Sequence, residues 1–437
     1  MNKARLKKYN NDYILSSSGY EVNTFDDNWK ISKNCNLNIA ETLKYLNEGL
    51  YDGFIKTMTY FVSELSDGYA EHVFHTFNKM INKQVVDYID ESLILNFMAR
   101  LGKNRLYQFS KLKVMLNKWH SLNFPGIDSK VIKLFNEIKI KKYGYGDVVK
   151  MRDPNKGPFN IEELKCISNA TEEAYNTGKI SIHTYAMLKL LLHSGRRISQ
   201  LTALKRKDLF NENNIYYLNI PRKKQRGVNK GSYRKVEINE SLWDTLHKIL
   251  DINTEIISDY LGCELKYKNI DKIPLFLSTY SLRNLDRDID IEHYLENEDL
   301  HITTGSMNRA IASLSKKMKL VSPRTGKIIR ISSVRFRYTF ATMLAKSGES
   351  LASIAMSLDH SGTGSVGCYV QNLPDNVIDI DKAISKYLQP ISDIFLGKQA
   401  YEGDILLNIF VSDIRGCRTE KNVLIKGCTE CKHFNSW

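Results

Sequence analysis

Val334-Arg335-Phe336-Arg337-Tyr338-Thr339-Phe340-Ala341-Thr342 places Arg337 at the head of an apolar helix that continues through residues 339–346. Alone, such an arginine is more often a structural contact than a catalyst, so its meaning depends on the flanking sequence. Towards the C-terminus, a helix over 351–358 runs into Leu358-Asp359-His360-Ser361, and Tyr369 stands nine positions after His360. Towards the N-terminus, two short runs rich in β-branched and aromatic residues, 215–220 and 234–238, read as a hairpin with a long tip. That tip contains Pro221-Arg222-Lys223-Lys224-Gln225-Arg226-Gly227, and residues 221–235 hold seven basic side chains and no acid. Such a tip can enter a groove or follow phosphates, and a solvated loop has the same composition. Further upstream, Gly195-Arg196-Arg197-Ile198-Ser199-Gln200-Leu201 sets an arginine at a helix start, after a glycine that ends a helix over 182–193.

Together, in this order and spacing, the four segments resemble the tyrosine recombinases, or phage integrase family. That family's first arginine lies in a Gly-x-Arg-Ile-Ser segment, matched by Arg197, and its second precedes a Thr-Phe-Ala-Thr helix, matched by Arg337. Its late histidine and nucleophilic tyrosine, nine residues apart, match His360 and Tyr369. Its lysine lies on the hairpin between the two arginines, which selects Lys224, with Lys223 as the competing choice. The resemblance covers roughly residues 159–395. It implies a mainly α fold with a small β-hairpin or sheet: a tyrosine-recombinase catalytic domain behind an all-helical core-binding domain.

The residue types suit the implied chemistry. A phosphodiester resists attack because its oxygens are negative, and two guanidinium groups can clamp the nonbridging pair. Donors aimed at charge that grows in the transition state are usually the largest catalytic contribution. A tyrosine, with a pKa of about 10, needs such cationic surroundings to act as nucleophile. A lysine on the hairpin can give the leaving 5′-hydroxyl its proton, and His360 can hydrogen-bond the scissile phosphate or assist proton transfer. The 3′-phosphotyrosine link stores the bond energy, so strand exchange is expected to need no cofactor.

Two positions depart from the family pattern. Val334 stands where a histidine is usual, three residues before Arg337, leaving Ser333 or Tyr338 as neighbours able to take its role. Gln200 stands where an acidic residue often supports the first arginine. The Val334 change keeps a rival reading open, a non-catalytic DNA-binding regulator on the same fold. A type IB topoisomerase shares the residue types, but the Leu-x-His-Ser spacing to Tyr369 and the separate helical domain favour a recombinase.

The bulk numbers fit. Sixty-three Lys and Arg against 49 Asp and Glu leave +14, which favours a polyanionic partner, although a solubility surplus explains the charge equally well alone. No apolar run is long enough to span a bilayer, and residues 1–10 are basic without the apolar stretch of a secretory signal, so the expected setting is cytoplasmic and nucleoid-associated, with no membrane partner. The length allows two to three domains. Residues 1–38, polar and rich in Asn, Ser and Lys, read as an N-terminal arm. Residues 39–138 repeat apolar positions at helical spacing and read as an all-helical DNA-binding domain. Residues 139–158 read as a basic linker whose Lys139, Lys141 and Lys142 face phosphates, with Arg222, Lys223, Arg226 and Lys230 as further DNA contacts. The catalytic domain spans 159–398, and residues 399–437 form a Cys-containing tail.

Cys35, Cys166, Cys263 and Cys368 are scattered and the total of seven is odd, as suits a reducing compartment. Cys417, Cys428, Cys431 and His433 in the tail are weak candidates for a structural zinc, with one knuckle present and its partner incomplete; reduced thiols are the plain alternative. The resemblance further implies double-stranded DNA as partner, a homotetramer on two DNA sites in contact through a helix over 377–395, accessory recombination proteins, and a role in integrating, excising or resolving a mobile element.

Overall fold

Alternation with period two, rather than helical spacing, organises the first unit's N-terminal part. In the computed structural model, which describes residues 13–102, 106–138, 146–222, 232–285 and 290–370, two antiparallel hairpins form over the segment expected as an arm. Strand β1 (Tyr13–Leu15) pairs with β2 (Glu21–Asn23), and β3 (Asn28–Ser32) pairs with β4 (Cys35–Asn38). Trp29, Ile31, Cys35 and Leu37 are buried while the residues between them are largely exposed, so one face of the second hairpin joins the hydrophobic core. The arm reading is therefore corrected for residues 13–38. Composition looked polar because every second residue faces water, and the alternation carried the signal. Residues 1–12 lie outside the described residues.

That core is otherwise helical. Phe54, Met58 and Phe61 on helix Tyr51–Glu64, Val73 and Phe77 on Asp67–Ile81, and Phe109, Leu112, Met115 and Trp119 on Leu106–Ser121 recur at spacings of three or four and are all buried. After helix Leu106–Ser121, the Pro125 carbonyl accepts a hydrogen bond from Trp119 Nε1 at 3.1 Å. The fixed indole lies against Gly53, where an added Cβ would fall 2.3 Å from Trp119 Nε1. Gly53→Ala is therefore expected to destabilise this unit by about 1–3 kcal/mol, because the indole cannot give way without losing its hydrogen bond. Urea denaturation of the full chain measures this as a lowered midpoint.

The two units are Met1–Tyr143 and Gly144–Trp437. In the second, helices Ile161–Asn176, Ile182–Ser194, Glu240–Leu261, Thr304–Lys317 and Ser333–Lys346 share one core with a three-stranded antiparallel sheet. The expected hairpin is β6 (Ile215–Pro221) with β7 (Tyr233–Ile238), and β5 (Leu209–Glu212) adds a third strand to β6. Only four residues long, β5 is joined to β6 through Asn213 and Asn214, both at positive φ, a turn that asparagine tolerates. Helix Glu240–Leu261 ends at Gly262 in the left-handed region, and the buried residues Ile273, Leu275, Phe276 and Leu277 follow in a strand-like pass. Asn253 Nδ2 donates to the carbonyls of Pro274 and Leu275 at 2.9 and 3.1 Å, beside an antiparallel bridge between Lys205 and Pro274.

Residues 146–158, expected as linker, belong to the second unit. Arg335 is fully buried and donates from Nε to the Gly157 carbonyl at 2.8 Å and from Nη2 to the Pro154 carbonyl at 3.0 Å. Glu163, also buried, accepts from Ser322 Oγ and Arg324 Nη2. Of the two arginines in the opening segment, Arg335 is thus structural. Residues 139–145, with Lys139, Lys141 and Lys142, lie outside the described residues, as do residues 371–437. That removes the expected 377–395 helix and the tail residues Cys417, Cys428, Cys431 and His433 from description.

Candidate active site

Gly195 ends helix Ile182–Ser194 at φ +56°, and an added Cβ would approach the Phe340 side chain to 2.7 Å. Only glycine meets both conditions, so the chain can turn sharply into Arg196-Arg197 against helix Ser333–Lys346. From that second helix Arg337 reaches back. Its Nη1 donates to the Gly195 carbonyl at 3.1 Å and its Nη2 to the Leu358 carbonyl at 2.6 Å. One buried guanidinium therefore joins three segments far apart in sequence.

Arg197, half-buried, donates from Nη1 to the Asp359 carbonyl at 3.3 Å. His360 follows directly, its Nδ1 hydrogen-bonded to the Ser365 hydroxyl, while its buried Nε2 has no hydrogen-bond partner among the described residues. Tyr369 lies buried in the short helix Gly367–Val370. Its ring centroid is 6.3 Å from that of Tyr338, and it is near enough to Arg337 to interact with it electrostatically. The structure thus brings Arg197, Arg337, His360 and Tyr369 into one neighbourhood of the second unit.

Electrostatics follow from burial. Desolvation, then the like charge of Arg197, pushes the Arg337 guanidinium down to about 9, which leaves it protonated at neutral pH. Burial, then Arg337 and Arg197, pushes the His360 imidazole down to about 4, so it is neutral there and able to donate or accept. His193, buried in the last turn of helix Ile182–Ser194 with Nε2 on the Glu237 carbonyl at 3.1 Å, is likewise held at about 4 by desolvation. Both imidazoles sit below their ordinary 6.5, so the unfolded chain binds protons more readily than the folded one. Stability is then complete above pH 6.5 and is lost as pH falls towards about 4. The urea midpoint is expected to drop over that window, and His193→Gln to flatten the dependence; a midpoint unchanged between pH 7 and 4.5 would contradict it.

Other expected site residues are distributed as follows. Lys223, Lys224, Arg226 and Lys230 lie outside the described residues. Arg222, expected on phosphate, instead pairs from Nε with Asp359 Oδ1 at 2.7 Å. That contact spans 137 positions, which local sequence reading does not reach. Of the two neighbours able to replace the histidine missing at Val334, Ser333 is engaged with Asn308 Oδ1 at 2.8 Å, whereas the Tyr338 ring is the one beside Tyr369. Val334 is half exposed on a groove of about 640 Å³ that Lys156, Arg309, Arg330, Ser332 and Tyr338 also line. The residue that reading missed is Asp359, quoted in its motif but given no role. Among the described residues no group of three or more His, Cys, Asp or Glu could hold a metal ion, and no helix is long and apolar enough to cross a membrane.

The phage integrase family model matches residues 160–375. No curated protein matches the chain by sequence. Among solved structures, it is similar to XerA recombinase at 16% identity, covering 77% of this chain and 98% of that one, with a TM-score of 0.34. It is similar to XerH recombinase in a post-cleavage complex with palindromic difH substrate at 15% identity, covering 79% and 86%, with a TM-score of 0.46. It is also similar to a lambda integrase(75–356) dimer bound to a COC′ core site at 12% identity, covering 75% and 96%, with a TM-score of 0.46. The assignment rests on the family match.

Proposed function

Because residues 160–375 belong to the phage integrase family, whose members cleave and rejoin DNA strands, we propose that this chain is a site-specific tyrosine recombinase working through a 3′-phosphotyrosine at Tyr369. The observation that carries the reading is the convergence of Arg197, Arg337 and His360 with Tyr369 from four separated segments. Two guanidinium groups gathered in one neighbourhood with a tyrosine suit an in-line attack on a phosphodiester, where negative charge grows on the nonbridging oxygens.

The Tyr369 Oη attacks the scissile phosphorus as the bond to the 5′-oxygen breaks. Lys224, or Lys223, gives that oxygen its proton, and the Tyr369 proton passes to solvent or a neighbouring base. His360, neutral at neutral pH, hydrogen-bonds the phosphate or relays a proton. A 5′-hydroxyl from a second strand reverses the steps and releases Tyr369. The groove lined by Lys156, Arg309 and Arg330 supports a DNA path leading to Tyr338 and the site. Lys139, Lys141, Lys142, Arg226 and Lys230 extend that path in this reading. The active form is a homotetramer on two DNA sites, and the biological role is integrating or excising a mobile element.

The test is a nicked duplex, its sequence recovered from a randomised pool by binding to this protein. The recombinase reading expects a covalent protein–DNA adduct to accumulate as the released strand diffuses away. Binding with no adduct would establish the regulator reading instead, which Val334 motivates.

A further inference from the structure

We propose that Asp359 is a positioning residue for strand cleavage, a buried carboxylate that holds the end of β6 and the Arg197 turn in register with His360. The inference rests on the recombinase reading and assigns a role to a residue beside that site. Asp359 is 1% exposed and adopts φ +55°, a left-handed conformation that residues other than glycine seldom take. A buried carboxylate in such backbone is costly unless its oxygens are fully engaged.

They are engaged, and by residues of the site. Oδ1 accepts from Arg222 Nε at 2.7 Å, and Oδ2 accepts from Gln200 Nε2 at 3.0 Å. The Asp359 carbonyl accepts from Arg197 Nη1 at 3.3 Å. Gln200 closes the bracket, because its Nε2 also donates to the Pro221 carbonyl at 2.9 Å and its Oε1 accepts from the Arg197 amide at 3.2 Å. These partners are residues of the Arg197 turn, Pro221 at the end of β6, and Arg222 directly after it. Arg222 immediately precedes Lys223 and Lys224 in sequence, so the contact sets where the chain carrying the expected proton donor leaves the sheet. The other end of the bracket is His360, the next residue along the chain.

The surroundings explain why a carboxylate is needed. Arg196 is buried, with Nε and Nη1 unpartnered among the described residues, and Arg234 approaches from β7. Arg196, Arg197, Arg222, Arg234 and Arg337 gather here, and Asp359 is the acidic group acting on Arg196, Arg234 and Arg337 alike. Gln200 supplies hydrogen bonds without charge. One buried anion offsets part of the mutual repulsion, so that the arginines stay close enough to share a phosphate.

Three variants test this: Asp359→Asn, Asp359→Gly, and Gln200→Glu combined with Asp359→Gly. Asparagine and glycine both tolerate positive φ, so neither single change introduces backbone strain. The double variant moves the carboxylate one hydrogen bond away, to the other end of the same contact. Single-turnover adduct formation at saturating protein, DNA affinity and melting temperature are measured for each. Both single variants are expected to form adduct about tenfold to a hundredfold more slowly with affinity held within about threefold, and the double variant to regain about tenfold. Where glycine costs stability, Asp359→Asn still decides, since it preserves shape. The proposal is overturned if Asp359→Asn cleaves within about threefold of the parent, if rate and affinity fall together, or if a double variant that melts normally regains nothing. A parent protein that forms no adduct would instead sink the recombinase reading, and this inference with it.

Discussion

Tyr369→Phe is expected to abolish the covalent protein–DNA adduct while leaving DNA binding intact. The substitution removes one oxygen and keeps the ring that fills the space beside Tyr338. With no nucleophile the rate should fall by about four orders of magnitude or more, since residues acting as one chemical unit fail together. The measurement is adduct formation on a nicked duplex, resolved from free protein by denaturing electrophoresis, beside an affinity measurement on the intact duplex. Residual adduct above a hundredth of the parent level would mean that another group attacks.

Arg337→Lys is expected to produce the second largest effect, a loss of about a hundredfold to a thousandfold in cleavage rate at saturating protein. Lysine keeps a charge but not the planar pair of donors. Arg337 uses Nη1 on the Gly195 carbonyl and Nη2 on the Leu358 carbonyl, and lysine cannot serve both and also face a phosphate. A carbonyl left unsatisfied in this buried setting adds about 1–3 kcal/mol of instability, so melting temperature should fall as well. Arg197→Lys should separate the two effects. Its side chain is half-buried and donates at 3.3 Å to the Asp359 carbonyl, so its loss should fall on rate more than on stability. Equal rates for Arg337→Lys and the parent would remove Arg337 from the chemistry and leave it a strut.

Four residues of the candidate site were legible because their segments, in this order and spacing, resemble those of the tyrosine recombinases. Arg337 at a helix head, His360 nine residues before Tyr369, and Arg197 after Gly195 are local patterns, and the fold gathers them. The mainly helical fold with a small sheet was legible for the same reason, through spacing. What escaped was non-local or hidden by composition. The pairing of Asp359 with Arg222 joins residues on different elements, and nothing near either one announces it. The hairpins over 13–38 carry Trp29, Ile31 and Leu37 at alternate positions within a run of polar residues, so an average over the segment misled where its period would not have. Arg335 and Arg337, two residues apart, divide into a strut and a site residue only through their partners.

The most direct test of the account is to digest the adduct and identify by mass spectrometry which residue carries the nucleotide. The account predicts a tyrosine at position 369 esterified to a 3′-phosphate, with a free 5′-hydroxyl on the released strand. A nucleotide on any other residue, or a 5′-phosphate on the protein, would contradict it.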